Sequence, residues 1–378
     1  MRAEQLRPRD LGAALLPRHL GLHPSQKQES SSIMRSTTKP RRHLAVLALS
    51  LTTAVTLAGC ASSSGSHASQ PRTSKAASVP APKGVVTEQF AESALSAYEK
   101  TNNKANDLAS KARTMQAREL LRKVEGGQLN EQSQADYAQW KTWSAKEKRD
   151  YGTPFFYTNR QYLLPRAGTA TWFAVLGKSS SSDKNEALMI FDRVDGAYKM
   201  VASVYAESTP IPEVAVDRNG LATAIDPSRR VGALAPAGLA VAFEDLFETG
   251  GKHSGAQLAS TRPAKESIGF YKDRNDNNGG KATTEFAYAD PAHPKVYALK
   301  LKNGGVLAVF PTAHTVTRSL KGAYASTYEI DPSKAEAVYN PLSRDTIIDE
   351  QQGQALAVLT PSGKPQVIAR EYRLVDSR

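Results

Sequence analysis

Histidine is the side chain best suited to acid–base and metal chemistry near neutral pH, and this chain has seven. Four of them follow the single cysteine, Cys60, and these are His67, His253, His293 and His314. None stands in an HExxH pair, and no GxSxG turn is present, so the sequence supports neither a zinc hydrolase nor a serine hydrolase of the usual pattern. His314 follows a strand that we predict to end at Phe310. It could face a cavity with Tyr297 or Glu285 as its partner, but we predict a partly exposed loop histidine.

A polar loop has the alternating oxygen ligands of a calcium site at Asp273, Asn275 and Asn277. Two required residues are missing from it. Asn278 stands where the bend needs glycine, and Thr284 stands where a bidentate glutamate is needed. We therefore predict a polar turn, with neither a metal nor a cofactor.

Two carboxylate pairs have a spacing of four residues, Glu244 with Glu248 and Asp345 with Asp349, and each pair would share a helix face if its segment were helical. Acid–base catalysis needs neighbouring carboxylates with different pKa values. Nothing in the surrounding sequence marks a pocket, so we predict solvated surface pairs. The sequence therefore assigns no catalytic residue.

Cys60 is the only cysteine, so it can form neither an intramolecular disulfide nor a two-cysteine metal site. It follows a basic segment (residues 34–42) and an apolar stretch (residues 44–58) that is too short to span a membrane, for which about 20 residues are needed. The stretch ends in Leu57-Ala58-Gly59-Cys60, which resembles the lipobox of bacterial lipoproteins. That resemblance implies cleavage after Gly59 and diacylglycerol on the Cys60 sulfur. It also implies that the lipid holds the protein at the extracytoplasmic face of the cell membrane.

The predicted lipoprotein signal peptide covers residues 34–59, and two export routes fit it. Arg41-Arg42 resembles a twin-arginine signal, while ordinary secretion explains the same basic residues. Residues 1–33 have no fold pattern of their own. We interpret them as an extension created by a start codon assigned too early, with a genuine cytoplasmic extension as the alternative.

Residues 60–83 are rich in serine, alanine and proline and contain few large apolar side chains, which predicts a disordered tether. The net charge of the chain is +12, but residues 1–59 contain 9 Lys/Arg against 3 Asp/Glu, or +6. The remaining 319 residues carry 40 against 34, again +6. A surface on which positive and negative charges are so nearly equal argues against a nucleic-acid partner.

The first predicted domain, residues 84–207, begins with helices and continues with strands. Thr87 is predicted to cap a long helical region that ends at Gly126-Gly127, and a second helical piece covers residues 131–148. That piece places Tyr137, Trp140 and Trp143 on a core face. Strands are predicted at residues 155–164, 169–176, 187–193 and 198–206, with a tight hairpin at Asp195-Gly196.

Residues 208–235 contain several prolines and predict a packed connector. The second predicted domain, residues 236–378, repeats the pattern with helices at residues 239–247 and 255–270. Its strands are predicted at residues 284–288, 296–302, 306–310, 326–330, 355–360 and 366–375. The predicted fold class is therefore α+β, with two tandem domains that each pack helices on a curved antiparallel sheet.

Two successive helix-then-meander units resemble, in element order, the cone-shaped fold of the nuclear transport factor and cystatin-like superfamily. With its lipobox, the whole chain is similar to uncharacterised lipoproteins of Streptomyces-type actinobacteria, whose domain has no assigned function. The fold resemblance implies a sheet that encloses a small-molecule pocket. It selects no activity, because a fold alone does not define a function.

Three functions remain open. The first, which we favour, is a non-enzymatic envelope module that contacts another protein or the cell wall, because no catalytic constellation appears. The second is a carrier whose sheet-enclosed pocket is lined by Phe156, Tyr162, Trp172 and Phe173, although core packing explains these side chains equally well. The third is an enzyme whose pocket residues follow no motif. A large cavity would favour the carrier, and an exposed apolar patch would favour the interaction module.

Overall fold

A computed structural model describes residues 83–180, 186–207 and 209–378. The predicted extension (1–33), leader (34–59) and tether (60–83, apart from Lys83) lie outside the described residues, and so do Gly59 and Cys60. The described residues all belong to one compact unit, Ala81–Arg378. No helix in this part of the chain is long and apolar enough to cross a membrane.

The first half of this unit begins with four helices, α1 Glu88–Ser110, α2 Thr114–Leu121, α3 Gly127–Gln139 and α4 Ala145–Gly152. Thr87 caps α1 as predicted, since its side chain accepts a hydrogen bond from Phe90 N at 3.1 Å. The predicted single helical region is wrong in one respect, because it breaks between α1 and α2 at Ala112. The φ of Ala112 is 60°, in the left-handed region that ends a helix. A short 3-10 turn, Trp140–Thr142, divides the second helical piece before α4 begins.

Four strands follow, β1 Tyr157–Leu163, β2 Phe173–Ser179, β3 Glu186–Val194 and β4 Ala197–Ala206. They form an antiparallel sheet in the order β1-β2-β3-β4, which confirms the predicted meander. The β3–β4 hairpin turns at Asp195-Gly196, where φ is 53° and 80°. Two successive positive φ angles are the geometry of a tight two-residue hairpin.

The second half contains α5 Leu239–Glu248, α6 Arg262–Asp273 and the one-turn α7 Gly322–Ala325, with five strands, β5 Ala282–Tyr288, β6 Tyr297–Lys300, β7 Val306–Leu320, β8 Thr346–Leu359 and β9 Gln366–Ser377. They form a second antiparallel sheet in the order β5-β7-β8-β9. β6 pairs with residues 306–309 of β7 and β5 pairs with residues 314–320, while β8 pairs along the opposite edge. The long strand β7 therefore pairs with the two short strands β5 and β6 along one edge.

Three strand predictions for the second half are wrong. The strand predicted at residues 306–310 continues through Pro311 to Leu320, and β8 begins at Thr346 instead of residue 355. Residues 326–330 form no strand, and only Ile330 makes an isolated bridge. The polar residues by which β7 and β8 extend beyond the predicted strands have the local sequence pattern of loops. They form strands because β7 and β8 pair with each other from end to end, which satisfies their backbone hydrogen-bonding groups.

Alternate residues along the strands enter different hydrophobic cores, as the two-residue period of a strand requires. In β2, Ala174 packs in the core between the two sheets and Phe173 packs in the core beneath α1. In β7, Leu307 and Val309 face the core between the sheets, whereas Phe310 faces the core beneath α5. The order of layers is therefore α1, the first sheet, the second sheet, and then α5 and α6, while α3 contacts β4 of the first sheet and both β8 and β9 of the second.

The predicted α+β fold class is confirmed, with helices packed on two antiparallel sheets. Each sheet lies within one predicted domain, since β1–β4 fall in residues 84–207 and β5–β9 fall in residues 236–378. The two sheets share one core, to which the connector contributes Ile211 and Val214. The exact domain boundaries stay a prediction, and the resemblance to the nuclear transport factor fold is not confirmed.

Candidate functional site

A cavity of about 50 Å³ lies where α1, α3 and α4 meet β4 of the first sheet and β9 of the second. We call it the polar cavity, because most of its lining is polar or titratable. Its lining residues are Tyr98, Asn102, Asn106, Glu125, Leu129, Gln132, Ser133, Asp136, Tyr151, Phe155, Ser203, Tyr205, Glu371 and Arg373. Four of these are partly exposed, namely Tyr151, Tyr205, Glu371 and Arg373, and the others are buried. The four partly exposed residues lie on α4, β4 and β9.

Helical spacing brings the residues of α1 and α3 to the cavity. On α1, Tyr98, Asn102 and Asn106 are four residues apart and so lie on one helix face. On α3 the lining residues recur at the same kind of spacing, at Leu129, Gln132, Ser133 and Asp136. Each helix therefore presents a polar stripe where a surface helix would present an apolar one.

Strand alternation brings the remaining residues to the same place. Ser203 and Tyr205 are two residues apart on β4, and Glu371 and Arg373 are two residues apart on β9. Residues at this spacing point to one face of a strand. Each strand therefore contributes a pair of polar side chains to the cavity.

Glu125 enters the cavity from the turn before α3. Gly126 N donates to Met200 O at 3.0 Å, and Met200 N donates to Val124 O at 2.8 Å, so β4 holds this turn by two hydrogen bonds. A Cβ at Gly126 would lie 2.9 Å from Val194 Cγ2. A glycine is therefore needed beside Glu125 for the turn to pack this closely against β3 and β4.

Burial raises the pKa of all three carboxyls in the cavity. The pKa of Glu125 rises to about 8, because hydrogen bonds from Ser133 and a tyrosine hydroxyl offset only part of the effect of burial. Burial also raises the pKa of Asp136 and of Glu371, against the opposing charge of Arg373. Arg373 Nε donates to Asp136 Oδ1 at 2.9 Å. The cavity thus places a carboxyl that is mostly protonated at neutral pH beside an ion pair.

The tyrosines and the arginine of the cavity keep their usual charge states. Burial raises the pKa of Tyr98, Tyr151 and Tyr205 well above the ordinary value, so their hydroxyls stay neutral. Burial lowers the pKa of Arg373, but the negative charge of Asp136 and other nearby groups outweighs this and raises it overall. Among the described lining residues, Arg373 is therefore the one permanent cation.

Three buried polar atoms of the lining have no hydrogen-bond partner among the described residues. They are Glu125 Oε2, Ser203 Oγ and Asn106 Nδ2, on residues that are 2%, 4% and 1% exposed. The Ser203 hydroxyl lies close enough to the Tyr157 and Tyr205 hydroxyls to oppose the rise in their pKa, but it forms no hydrogen bond with either. The other end of the Asn106 side chain is paired, since its Oδ1 accepts from Tyr137 OH at 2.6 Å. An unpaired buried polar group costs roughly 1–3 kcal/mol, so these atoms mark a place where a polar guest would be stabilised.

Glutamine side chains hold the cavity together where α3 meets the second sheet. Gln354 Nε2 donates to Gln132 Oε1 and to Glu371 Oε1, both at 2.6 Å. Gln354 Oε1 accepts from Ser203 N at 3.0 Å. Two of these bonds join the first half of the chain to the second, so the geometry of the cavity depends on the docking of both sheets.

The four aromatic residues predicted to line a sheet-enclosed pocket do not meet around one cavity. Phe173 lies in the core beneath α1, while Trp172, the residue before β2, packs in the core between the sheets. Tyr162 packs against the core beneath α1, and Phe156 is 54% exposed. None of the four lines the polar cavity, and their role in ligand binding stays a prediction.

The predicted positions of His314 and Glu244 at the surface are wrong. His314 lies within β7, and its Nδ1 is 2.8 Å from Glu244 Oε2 on α5. Both residues are 1% exposed, and Tyr372 OH donates to the second Glu244 oxygen at 2.7 Å. The partner of His314 is thus Glu244, instead of Tyr297 or Glu285. The cause is the continuation of β7, which carries the histidine beneath α5.

The second predicted surface pair is also wrong, because Asp349 lies buried on strand β8. Arg318 Nη2 is 2.6 Å from Glu336 Oε1 and 3.5 Å from Asp349 Oδ2. Burial and the negative charge of Glu336 raise the pKa of Asp349 to about 7. Within the described ranges, no group of three or more His, Cys, Asp or Glu residues is arranged to hold a metal ion.

The polar cavity was not predicted from the sequence, although the sequence contains one signal for it. The apolar stripe of α1 continues from Leu95 through Asn102 and Asn106, two amides at positions where core residues are expected. The acidic and basic residues of the cavity lining have no such signal in the sequence. Glu125 and Arg373 stand almost 250 residues apart (373 − 125 = 248) and no local pattern connects them.

These observations define an α+β protein with two facing antiparallel sheets and a buried polar cavity beside them. Residues 82–378 match the family described as a domain of unknown function (DUF8094), and the chain belongs to this family. The chain is similar to an uncharacterised lipoprotein of Streptomyces coelicolor, with 30% identity over 307 residues that cover 79% of this chain and 83% of that protein. This confirms the predicted resemblance to uncharacterised Streptomyces lipoproteins and indicates an envelope-associated, membrane-anchored lipoprotein. No solved structure matches the chain.

Proposed function

We propose that this protein is a non-enzymatic binding lipoprotein of the cell envelope. Lipid on Cys60 holds it at the extracytoplasmic face of the membrane, and its polar cavity takes up a small polar ligand. The anchor is supported by the motif Leu57-Ala58-Gly59-Cys60 and by the relative that is described as a lipoprotein. Two acyl chains anchor a protein stably where one does not.

One observation carries the binding proposal. Glu125 Oε2, Ser203 Oγ and Asn106 Nδ2 line the same cavity, and within the described part of the chain each is buried without a hydrogen-bond partner. A native protein pairs nearly all of its buried polar groups. A ligand that both donates and accepts hydrogen bonds would pair all three.

The volume of the cavity limits the ligand. A water molecule needs roughly 10–15 Å³ of such space, whereas pockets for drug-sized ligands measure about 300–1,000 Å³. A volume of about 50 Å³ therefore admits a ligand, or the end of a larger ligand, with only a few non-hydrogen atoms.

The cavity contains a carboxyl that is mostly protonated beside an ion pair, which acid–base catalysis could use, but its volume of about 50 Å³ leaves room for only a few atoms of a substrate. We therefore propose binding without catalysis. An alternative is a module that contacts another envelope protein or the cell wall. Exposed apolar side chains such as Leu342 (67%) and Met115 (64%) favour it. Single exposed apolar residues are common on soluble surfaces, however, so we place this alternative second.

Membrane fractionation tests the anchor. Replacing Cys60 with serine should move the full chain from the membrane fraction to the soluble fraction, because the lipid has no attachment atom. The matched control is Ser62→Ala, two residues further along, which should remain in the membrane. Retention of Cys60→Ser in the membrane would sink the anchor proposal.

Native mass spectrometry tests the ligand. The lipidated protein is extracted from its own host membrane in mild detergent, and a bound ligand should add mass beyond that of the lipid. Ser203→Ala and Asn106→Leu should each lower the occupancy of that ligand, whereas Ser93→Ala on the exposed face of α1 should not. Protein without added mass would contradict the ligand proposal, and a second polypeptide in its place would support the alternative.

A further inference from the structure

The charges that line the polar cavity do not balance. Three carboxyls, those of Glu125, Asp136 and Glu371, face one cation, Arg373. Arg373 Nε donates to Asp136 Oδ1 at 2.9 Å, and its charge also acts on Glu371. Glu125 is instead influenced by neutral hydrogen-bonding groups, such as the Ser133 hydroxyl, and by the like charge of Asp136. Arg373 therefore serves the other two carboxyls, and Glu125 is left without a counter-charge in the described lining.

Two of the three atoms that remain free in the cavity can receive hydrogen bonds, while the third, Asn106 Nδ2, is a donor that a cation would leave unpaired. Glu125 Oε2 is an acceptor when the carboxyl is ionised, and Ser203 Oγ can accept as well as donate. The neutral hydroxyls of Tyr98, Tyr151 and Tyr205 stand in the same lining. A ligand that carries positive charge on several N–H donors would fit this set.

We infer that the polar cavity binds a small primary ammonium ion, whose N–H groups donate to Glu125 Oε2 and Ser203 Oγ and whose charge is balanced by the Glu125 carboxylate. The inference rests on the proposed function, namely that this cavity takes up a small polar ligand. The volume of about 50 Å³ suits an ion of the size of methylammonium. An anion would instead face three carboxyls, and the described residues include no ligand set for a metal ion.

Binding should be coupled to proton release from Glu125. Its pKa of about 8 means that the carboxyl is mostly protonated at neutral pH, whereas an ammonium ion favours the ionised form. The titratable and charged groups that face Glu125 are Tyr98 on α1, Asp136 and Tyr137 on α3, Tyr151 on α4, Tyr205 on β4, and Glu371 with Arg373 on β9. The tyrosines stay neutral and Arg373 stays charged between pH 5 and pH 8, so only the carboxyls titrate there.

Isothermal titration of the full chain in detergent, with methylammonium chloride as the probe and sodium chloride in the reference, tests the inference. Affinity should rise about tenfold for each pH unit from pH 5 to pH 7, because one proton competes with the ligand, and less steeply towards pH 8, where Glu125 is already about half ionised. Titrations in phosphate and in HEPES at pH 7 should reveal the release of about one proton, since the two buffers differ in their heat of ionisation.

Two variants locate the site. Glu125→Gln should lose at least tenfold in affinity at pH 8 and should also lose the pH dependence. Its matched control is Glu131→Gln, which lies on α3 but outside the cavity and should bind like the unchanged protein. Should Glu125→Gln fail to fold, Ser203→Ala provides the test, because it removes only a neutral hydroxyl and should weaken binding several-fold with the same proton release.

Three outcomes would overturn the inference. Preferential binding of acetate or formamide would exclude the ammonium class and leave the proposed function standing. Methylammonium binding that is independent of pH and equal in Glu125→Gln would exclude the role of Glu125. Failure of all three probes to bind, with no added mass on the native protein, would overturn the inference and the proposed function together.

Discussion

His314 Nδ1 lies 2.8 Å from Glu244 Oε2, so a buried carboxyl joins strand β7 to helix α5. Tyr372 OH donates to the other oxygen of the same carboxyl at 2.7 Å. The rings of Phe247 and Phe286 lie 4.7 Å and 5.6 Å from the imidazole, centroid to centroid. Both oxygens of Glu244 are therefore paired within an aromatic surrounding, as a carboxyl removed from water requires.

Glu244→Gln should destabilise the protein by about 1–3 kcal/mol, because the amide has only one acceptor oxygen and can keep at most one of the two hydrogen bonds of the carboxylate without a change of donor. Denaturant unfolding at pH 7 measures the change in the free energy of unfolding. The control is Glu248→Gln, one turn later on α5 and exposed, which should change stability by less than about 0.5 kcal/mol. Equal losses in the two variants would contradict the importance of this pairing.

Arg318→Met should cost about 3–5 kcal/mol, because it leaves Glu336 and Asp349 as buried carboxyls without their cation. The cost should grow from pH 5 to pH 8. Arg318 holds the pKa of Glu336 below its usual value despite burial, and this stabilises the folded state above the unfolded pKa. Without Arg318, both carboxyls must instead be protonated in the fold. Thermal unfolding across this pH range checks the prediction, with exposed Lys321→Met as the control; a loss independent of pH would contradict it.

Glu125→Gln should remove one pH effect on the stability of the protein. Burial raises the pKa of Glu125 from 4.5 to about 8, so the folded state holds a proton that the unfolded state releases within this range. The stability contributed by this group is complete below pH 4.5 and is lost as the pH rises towards 8, by up to about 1.4 kcal/mol per pH unit. The variant lacks this loss, so its stability relative to the unchanged protein should increase from pH 5 to pH 8. Urea unfolding of the variant and of the unchanged protein at four pH values measures this difference. If Glu125 did not carry the proton, the free energies of unfolding of the two proteins would change with pH in parallel.

Two glycines should respond to alanine in opposite directions. A Cβ at Gly353 in β8 would lie 2.5 Å from Glu371 O and 2.6 Å from Thr312 Oγ1, so Gly353→Ala should cost about 1–3 kcal/mol through overpacking. Gly269 lies within α6 and a Cβ there would have nothing within 4 Å, so Gly269→Ala should stabilise by about 0.5–1 kcal/mol. The denaturant midpoints of both variants and of the unchanged protein, measured side by side, test the two predictions. A higher midpoint for Gly353→Ala would show that the backbone around Gly353 can move to make room for the Cβ.

Features that depend on a few neighbouring residues could be predicted from the sequence. Thr87 caps α1 and Asp195-Gly196 turns the β3–β4 hairpin, because a cap and a tight turn are decided by side chains within about four residues. The order of helices and strands follows for the same reason, since hydrophobic period is a local property. These local signals were enough to predict an α+β fold with two antiparallel sheets.

Features that depend on pairing between distant segments were decided only by the tertiary structure. Polar residues such as His314 and Asp349 lie in strands because β7 and β8 pair along their whole length, which no local pattern reveals. The polar cavity is the clearest case, because Asn106, Glu125, Ser203 and Arg373 come from four separate segments. The sequence by itself determined the lipobox-like Cys60 motif and most of the elements, but not the full length of β7 and β8. The docking of α3 against both sheets determined which of its many polar residues share one buried space.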